Sequence, residues 1–597
     1  MLESLREIGR FSLEDQGKSV SDEISILLEN PGSENYSTVI RINFDKTGNG
    51  ELSYSGIFNE PISTQYDKYL YKRKGASGAN YTPCALVAGK GLTGTFNNRI
   101  LNWAKGNAEH KNIVGELARA IQKYAKDILR HLEQKEAEEG SDGIILTVSI
   151  NNQHIGEIEA FRNYFVETYY ESKKDIAHEQ GVCSLCGTEG FVMGNVKPWA
   201  FYSLDKPGFI ASGFSAKTGW KNFPICKKCS LFIEEGKQHV EDALNFRFAG
   251  IRYYLMPKSI LGNPEVLSEA LVFLEQERKK QLKTRDLKRL ADEEDDILDF
   301  ASEQSDALVY NFLFYESAKA KFTILLYLPD VLPSMIKKLF IAKETVENHS
   351  IFKEAYKEKD ELKNIEFTFR NIRNFISNPQ AFLNVVEKVF KRKPVDYFYL
   401  LSQFLGVLRQ RFANEEFTRI QTLQAFQIIL LLMELNILAN KPKGELVMSN
   451  NLIQNEVKEK VEQFFKQFPD TFDTAEKRAV FLTGVLTQFL LNIQQRDRGS
   501  QPFRKNLKGL KMRQRDILQI FPEVQNKLEE YGENYYTQLE EVISEYFVRA
   551  GSHWNITDDE INFYFLLGMD LSNATTEDGK PIFKVGKEPI DESENNN

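Results

Sequence analysis

Hydrophobic and polar residues alternate in "STVIRINFD", give way to the turn-forming "KTGNG", and alternate again in "ELSYSGIF". Residues 36–63 are therefore expected to form two strands joined by a short turn. The period then lengthens. Apolar positions recur at spacings of three and four in "RILNWAKG" and "IVGELARAIQKYAKDILRHLEQ", which predicts helix, before a second hairpin predicted in "GIILTVSINNQHIGEIEAF". The charged block "QERKKQLKTRDLKRLADEEDDILD" reads as a solvated helix or linker. A further strand pair, "ALVYNFLFYE" and "KFTILLYLP", begins at Ala307, and beyond it nearly every segment has the helical period. The clearest later break is "NKPKGEL" from Asn440. After it come "NEVKEKVEQFFKQF", "AEKRAVFLTGVLTQFLLNIQQ", "MRQRDILQIF", "YTQLEEVISEYFVRAG" and "TDDEINFYFLLGM", with Thr557 and Glu560 at capping-box spacing.

These patterns predict an α+β multidomain protein. The expected parts are a mixed α/β N-terminal domain at 1–174, a cysteine-bearing insertion at 175–235, and a second α/β part with the charged linker at 236–345. A helical region at 346–445 and an all-α helical bundle at 446–597 follow. At 597 residues the chain is too long for one hydrophobic core, so several domains agree with its length. Hydrophobic residues at 42% and charged residues at 27% are ordinary for a soluble globular protein, though 43 Phe and 24 Tyr are many. The formal net charge of -9 opposes nucleic-acid binding by the whole surface and confines any such binding to local basic patches. The start "MLESLREIGRFSLEDQGK" has no basic segment followed by an apolar one, and "FQIILLLMELNIL" is broken by Glu434, so neither export nor a membrane span is expected.

Four of the five cysteines form two Cys-x-x-Cys pairs, Cys183 with Cys186 and Cys226 with Cys229, separated by 39 residues. Cys84 stands alone. Pairing of this kind suits metal binding in a reducing cytoplasm better than disulfides. Each pair aims two thiolates at one ion, and four thiolates close a tetrahedral shell, which points to structural zinc rather than a catalytic metal with an open position. Reactive or redox thiols are the alternative. The segment between the pairs carries Lys197, Lys206, Lys217 and Lys221, with Lys227 and Lys228 inside the second pair, against Glu189 and Asp205. Trp199, Phe201, Tyr202, Phe209, Phe214 and Trp220 lie in the same stretch, either as bases' stacking partners or as the core of a small unit.

Two basic stretches are the other candidates. In "YKRKGASGAN", Lys72, Arg73 and Lys74 enter a glycine-rich loop, and "GKGLTG" at 89–94 adds Lys90, followed by Asn97, Asn98 and Arg99. The second glycine string matches G-x-G-x-x-G but lacks the βαβ setting and acidic residue of a dinucleotide site. In "RDRGSQPFRKNLKGLKMRQR", Arg496, Arg498, Arg504, Lys505, Lys508, Lys511, Arg513 and Arg515 stand against one acid, between two predicted helices. Both stretches read either as phosphate-contacting loops or as solvated surface. Enzyme signatures are thin: there is no His-Glu-x-x-His, Gly-x-Ser-x-Gly or Gly-Gly pair, and "DEEDD" reads as solvated charge.

The stretch "CSLCGTEGFVMGNVKPWAFYSLDKPGFIASGF", continuing into "NFPICKKCSLFIEEGKQHVEDALNFRFAGIRYYLMPKSI", resembles the zinc-containing heart of the large subunit of type I-B CRISPR Cascade. "SINNQHIGEIEAFRNYF" before it and "LPDVLPS" after it keep the same order. The resemblance is strong over about 140–340 and looser elsewhere, and it carries the zinc assignment to the four cysteines. It implies a non-catalytic binding protein near the 5′ end of the crRNA that inspects the protospacer-adjacent motif (PAM) of double-stranded target DNA and helps open the duplex. The implied partners are backbone subunits, a subunit that binds the crRNA handle, small subunits and a nuclease-helicase, with no membrane. Base pairing would read the long sequence and protein the short motif. It also implies a small helical subunit made from inside the same gene, for which Met448, after the "NKPKGEL" break, is the expected start. Lys443, Gly444 and Glu445 are encoded by AAR-GGN-GAR, which accommodates a ribosome-binding purine run upstream of it. Competing readings are a stand-alone zinc-ribbon enzyme acting on nucleic acid and a scaffold that binds protein alone.

Overall fold

The computed structural model describes residues 1–18, 20, 23–29, 36–74, 78–87, 89–139, 143–171, 177–194, 199, 216–260, 262–283, 296–318, 321–358, 361–444, 454–533, 535–576 and 578–585. The chain is α+β and divides into two compact units, residues 1–244 with 256–258 and 318–322, and the remainder.

The first unit opens with helices α1 (Leu2–Asp15) and α2 (Glu23–Leu27) and the expected hairpin, β1 (Thr38–Lys46) and β2 (Leu52–Pro61). Next come β3 (Ala85–Leu86), the short helices α3 (Gly91–Thr95) and α4 (Asn102–Asn107), then α5 (Ile113–Lys123), α6 (Ala125–Glu139), β4 (Ile144–Ile150), β5 (Gln153–His154) and α7 (Glu159–Glu171). The sheet runs β2-β1-β4-β3, with β5 folded back on β4 and with β1 and β4 parallel from Thr38 opposite Ile144 to Phe44 opposite Ile150. Alternation then sorts the side chains. Ile40, Ile42 and Phe44 join Leu146 and Val148 in the main core with Phe96, Trp103, Leu117 and Ile121. Arg41, Asn43 and Ser149 occupy the opposite face, where Asn43 Oδ1 accepts from the Ser149 hydroxyl at 2.6 Å.

Two expectations are corrected here. The single helix read through "IVGELARAIQKYAKDILRHLEQ" is broken at Tyr124, whose ring packs 6.3 Å from Tyr54 of β2, so contact with the sheet overrides an unbroken helical period. The second hairpin returns for two residues only: Asn151 and Asn152 take positive φ, as a tight two-residue turn needs, and the chain then coils at Ile155 into α7.

After α7 a three-stranded sheet, β6 (Ala177–Val182), β7 (Glu189–Met193) and β8 (Ile225–Cys226), leads into α8 (Lys227–Ala243). Helix α8 lies against α1 at Gly9 and Gly236, backbone to backbone.

Next along the chain come an antiparallel β9 (Asn245–Phe248) and β10 (Ile251–Ser259) pair, α9 (Pro264–Lys283), α10 (296–303), β11 (Leu308–Ala318) and β12 (Lys321–Val331), in the sheet order β12-β11-β10-β9 and, apart from residues 256–258, 318 and 321–322, in the second unit. Its sheet is lined by rings, Phe248 lying 4.7 Å from Phe369 and 5.7 Å from Phe314. Helices α11 (Pro333–Glu347), α12 (Phe369–Phe375), α13 (Pro379–Phe390), α14 (Tyr397–Ala413) and α15 (Arg419–Glu434) follow. The apolar "FQIILLLMELNIL" lies in α15 as far as Glu434, on a stretch buried nearly all round, and no described helix is long and apolar enough to cross a membrane.

The five C-terminal helices match the sequence closely: α16 (Glu456–Gln467), α17 (Ala475–Arg498), α18 (Gln514–Glu530), α19 (Thr537–Ala550) and α20 (Asp558–Leu571). Thr557 and Glu560 form the expected capping box. Helix α17 is the hub. It crosses α20 where Gly484 and Gly568 let the backbones meet, the same device as in α1 and α8. A buried Lys458–Glu545 pair at 2.6 Å ties α16 to α19.

Candidate metal centre and basic surface segments

The four paired cysteines converge. Their sulfur atoms all lie within 4.8 Å of one another, Cys183 and Cys229 buried, Cys226 half-buried and Cys186 exposed. Local backbone explains the convergence. In the first knuckle the Gly187 N–H returns to the Cys183 carbonyl at 2.9 Å, Gly187 taking φ +71°, and the Cys183 N–H bonds Thr188 O at 3.0 Å. In the second, Cys226 caps α8 and its sulfur accepts from the Cys229 N–H at 3.5 Å. The knuckles are joined where the Ser184 N–H meets the Pro224 carbonyl at 2.8 Å and where Val192 of β7 pairs with Cys226 of β8.

Zinc–sulfur bonds of about 2.3 Å in a tetrahedron place sulfurs roughly 3.8 Å apart. Cys186 and Cys226 stand at 3.6 Å, so the four thiols fit a metal ion. The Cys226 thiol is pulled down to about 5, first by the hydrogen bond it receives from Cys229, with the Cys229 N–H and the Cys186 and Cys183 thiols adding to this against burial. Cys229 is driven up as the donor, and burial raises Cys183. One thiolate is thus already favoured at the mouth of α8. Beside it the Lys227 ammonium lies 4.4 Å over the Tyr170 ring and 4.9 Å over Phe191. Cys84 lies elsewhere, fully buried, its thiol pushed up to about 12 by desolvation.

Of the residues between the pairs, Trp199 is buried and donates to Glu241 Oε1 at 2.9 Å, while Trp220 stacks on His178 at 4.2 Å. Lys221 lies over the Trp220 ring and Lys228 over Phe232. Lys197, Phe201, Tyr202, Asp205, Lys206, Phe209, Phe214 and the Lys217 side chain lie outside the described residues.

The first basic stretch is mostly engaged within the fold. Lys72 pairs with Glu29 at 3.1 Å, the Arg73 N–H points to the same carboxylate, and Lys74 stands over Tyr81. Arg99 donates to the Gly78 carbonyl at 2.8 Å and Asn98 to Gly94 at 2.6 Å, which leaves Lys90 and Asn97 exposed. The start of α3 is already closed by an acid: a Cβ on Gly91 would lie 1.7 Å from Glu136 Oε1, and the Thr93 N–H faces that carboxylate.

The second stretch is divided. Arg496 pairs with Asp497 and Glu533, Lys508 with Asp516 at 2.7 Å and Arg513 with Asp558 at 3.6 Å, while Arg498 covers the Tyr531 ring and Arg504 packs 3.8 Å over Phe412. Lys505 and Lys511 are exposed, and the Arg515 side chain is 75% exposed with Asp516 at 3.6 Å. The helices that follow add residues that the sequence did not single out. Phe521, Phe547 and Trp554 form a row with centroids 5.3 and 5.9 Å apart, and Arg515 and Leu518 continue the Phe521 face of α18. Trp554 is the one signal that could have been found, as one of four tryptophans. Met448 lies outside the described residues.

The fold and the cluster together define a two-unit α+β protein whose first unit carries a four-cysteine, metal-type centre. Family models of CRISPR-associated protein TM1802 match it domain by domain: the N-terminal domain over residues 1–167, the central domain over 180–331 and the C-terminal domain over 367–580. The chain belongs to this CRISPR-associated family. All four cysteines fall within the central-domain match. Compared with curated proteins, the chain has no match.

Proposed function

We propose that the chain is the large, non-catalytic subunit of a type I-B CRISPR Cascade in the cytoplasm. In this reading it binds near the 5′ end of the crRNA, recognises the PAM in double-stranded DNA, stabilises the R-loop and recruits the nuclease-helicase. The observation that carries it is the ordered match of all three TM1802 domains, with four converging thiols in the central one. The metal is zinc and its role is shape, because four soft thiolates suit zinc and close its shell, leaving no position for water or substrate. An acidic protein that handles nucleic acid must do so through local basic surface, and the exposed Lys505, Lys511 and Arg515 supply it, Arg515 on the same helix as Phe521 of the aromatic row.

The test assembles the chain with crRNA and the CRISPR proteins encoded beside it, and measures binding to a duplex carrying a matching target. Reversal of Lys505, Lys511 and Arg515 to Glu should weaken DNA binding and flatten its dependence on salt by about one unit per lost phosphate contact. Unchanged affinity across several salt concentrations overturns the assignment of that surface. Cleavage of labelled DNA by the purified chain with Mg²⁺ alone overturns the non-catalytic reading.

A further inference from the structure

The N-terminal helix touches both halves of the cysteine cluster. The Arg6 guanidinium donates to the Leu185 carbonyl at 2.6 Å, inside the Cys183-Ser184-Leu185-Cys186 turn. One turn on, α1 meets α8, the helix capped by Cys226 and carrying Cys229 in its first turn. The approach is so close that a Cβ on Gly9 would sit 1.8 Å from the Phe232 carbonyl oxygen, and one on Gly236 1.9 Å from that of Leu5. Ser12 Oγ and Gln16 Nε2 then donate to the same Glu235 carboxylate oxygen, at 2.9 and 2.7 Å. A single helix from the start of the chain thus grips the first knuckle by one side chain and the second through α8.

We infer that α1 is a working part of the metal centre, Arg6 being a positioning residue that holds the two knuckles in register, so that metal occupancy and docking of α1 stabilise one another. The inference rests on the reading of the cluster as a zinc site. Two knuckles on separate elements form one tetrahedral site only if their relative placement is held, and groups that orient the ligands without touching the ion are worth about ten- to hundredfold in metal affinity. Arg6 has a second effect. Four thiolates around a divalent ion leave two net negative charges, and a guanidinium bonded to the knuckle's own carbonyl opposes them. Thermodynamic linkage makes the coupling reciprocal: whatever factor α1 adds to metal affinity, the metal adds to α1 docking.

The full chain, loaded with zinc, would be titrated with a competing chelator, and hydrogen exchange of residues 2–15 followed before and after the metal is stripped. Arg6→Gln should lower zinc affinity about ten- to hundredfold, with Arg6→Lys, which keeps charge and donors, recovering much of it. Arg10→Gln is the control, because Arg10 lies on the same helix and donates to Glu14, one turn away. It should leave zinc affinity unchanged. Stripping should speed exchange in 2–15 more than in the sheet strand 38–46. Parent-like zinc affinity in Arg6→Gln, or exchange of 2–15 indifferent to the metal, overturns the coupling while leaving the zinc site standing. A parent chain that takes up no zinc overturns the zinc reading itself, and the coupling with it.

Discussion

Asp570, at the end of α20, receives the Thr418 hydroxyl on its carboxylate at 3.1 Å, while Arg419 bonds its backbone carbonyl. Burial is the largest influence on this acid and raises it to about 6, against the Thr422 and Thr418 hydroxyls and the charges of Arg419 and Arg504. An unfolded aspartate titrates near about 3.9, so the folded state binds the proton more tightly. The resulting stabilisation is fully present below about pH 4 and lost as pH rises through 6. Asp570→Asn cannot ionise, and its melting temperature relative to the parent is therefore expected to rise between pH 4 and pH 8. An offset that stays constant over that range refutes the argument. At the same scale the cysteines were fully legible in the sequence, because a Cys-x-x-Cys turn is local and two of them aim at one ion whatever surrounds them. Arg6 was not legible: its partner Leu185 is 179 positions away and is a backbone carbonyl, which no residue pattern marks.

Glycine inside a helix ordinarily costs about 1 kcal/mol relative to alanine, so its meaning depends on what the helix faces. In α14, Gly406 is exposed and a Cβ there meets nothing within 4 Å. In α17, a Cβ on Gly484 would lie 2.0 Å from the Phe565 carbonyl oxygen of α20. Two identical substitutions should thus act with opposite sign. Gly406→Ala is expected to stabilise by about 1 kcal/mol, and Gly484→Ala to destabilise by about 1–3 kcal/mol as α17 and α20 are forced apart. Denaturant midpoints of the two variants check this, and a shift in the same direction for both would show that the crossing is not as close as described. Helices with a clear apolar period and a cap, such as α20 with Thr557 and Glu560, could be read in advance. The break at Tyr124 could not, since "KYAK" contains no breaker, and what marks the position is the contact of Tyr124 with Tyr54 and Ser53 of β2.

In the whole molecule the C-terminal helices are fastened to what precedes them. Arg409 of α14 reaches Asp559 at 2.8 Å, Thr418 reaches Asp570, and Arg504 donates to the Phe412 carbonyl at 3.0 Å. A product begun at Met448 would lack α14 and α15 and leave that face of α20 uncovered. Made alone it is expected to self-associate, and within a purified complex to appear as a C-terminal fragment by mass spectrometry that disappears when Met448 is recoded. A complex without such a fragment removes the internal start. By itself the sequence determined the α+β class, the five closing helices and the four-thiol centre, because hydrophobic period, capping pairs and knuckle spacing are local properties that survive most contexts. Charge was the poorer guide, for a run of eight basic residues says nothing of which are already matched. Only the tertiary structure set Arg496 against Glu533, Lys508 against Asp516 and Arg513 against Asp558, left Lys505 and Lys511 exposed, and brought a helix from the start of the chain onto cysteines nearly two hundred residues away. Pairings of that kind depend on which distant elements share a surface, and packing decides that, not the order of residues along the chain.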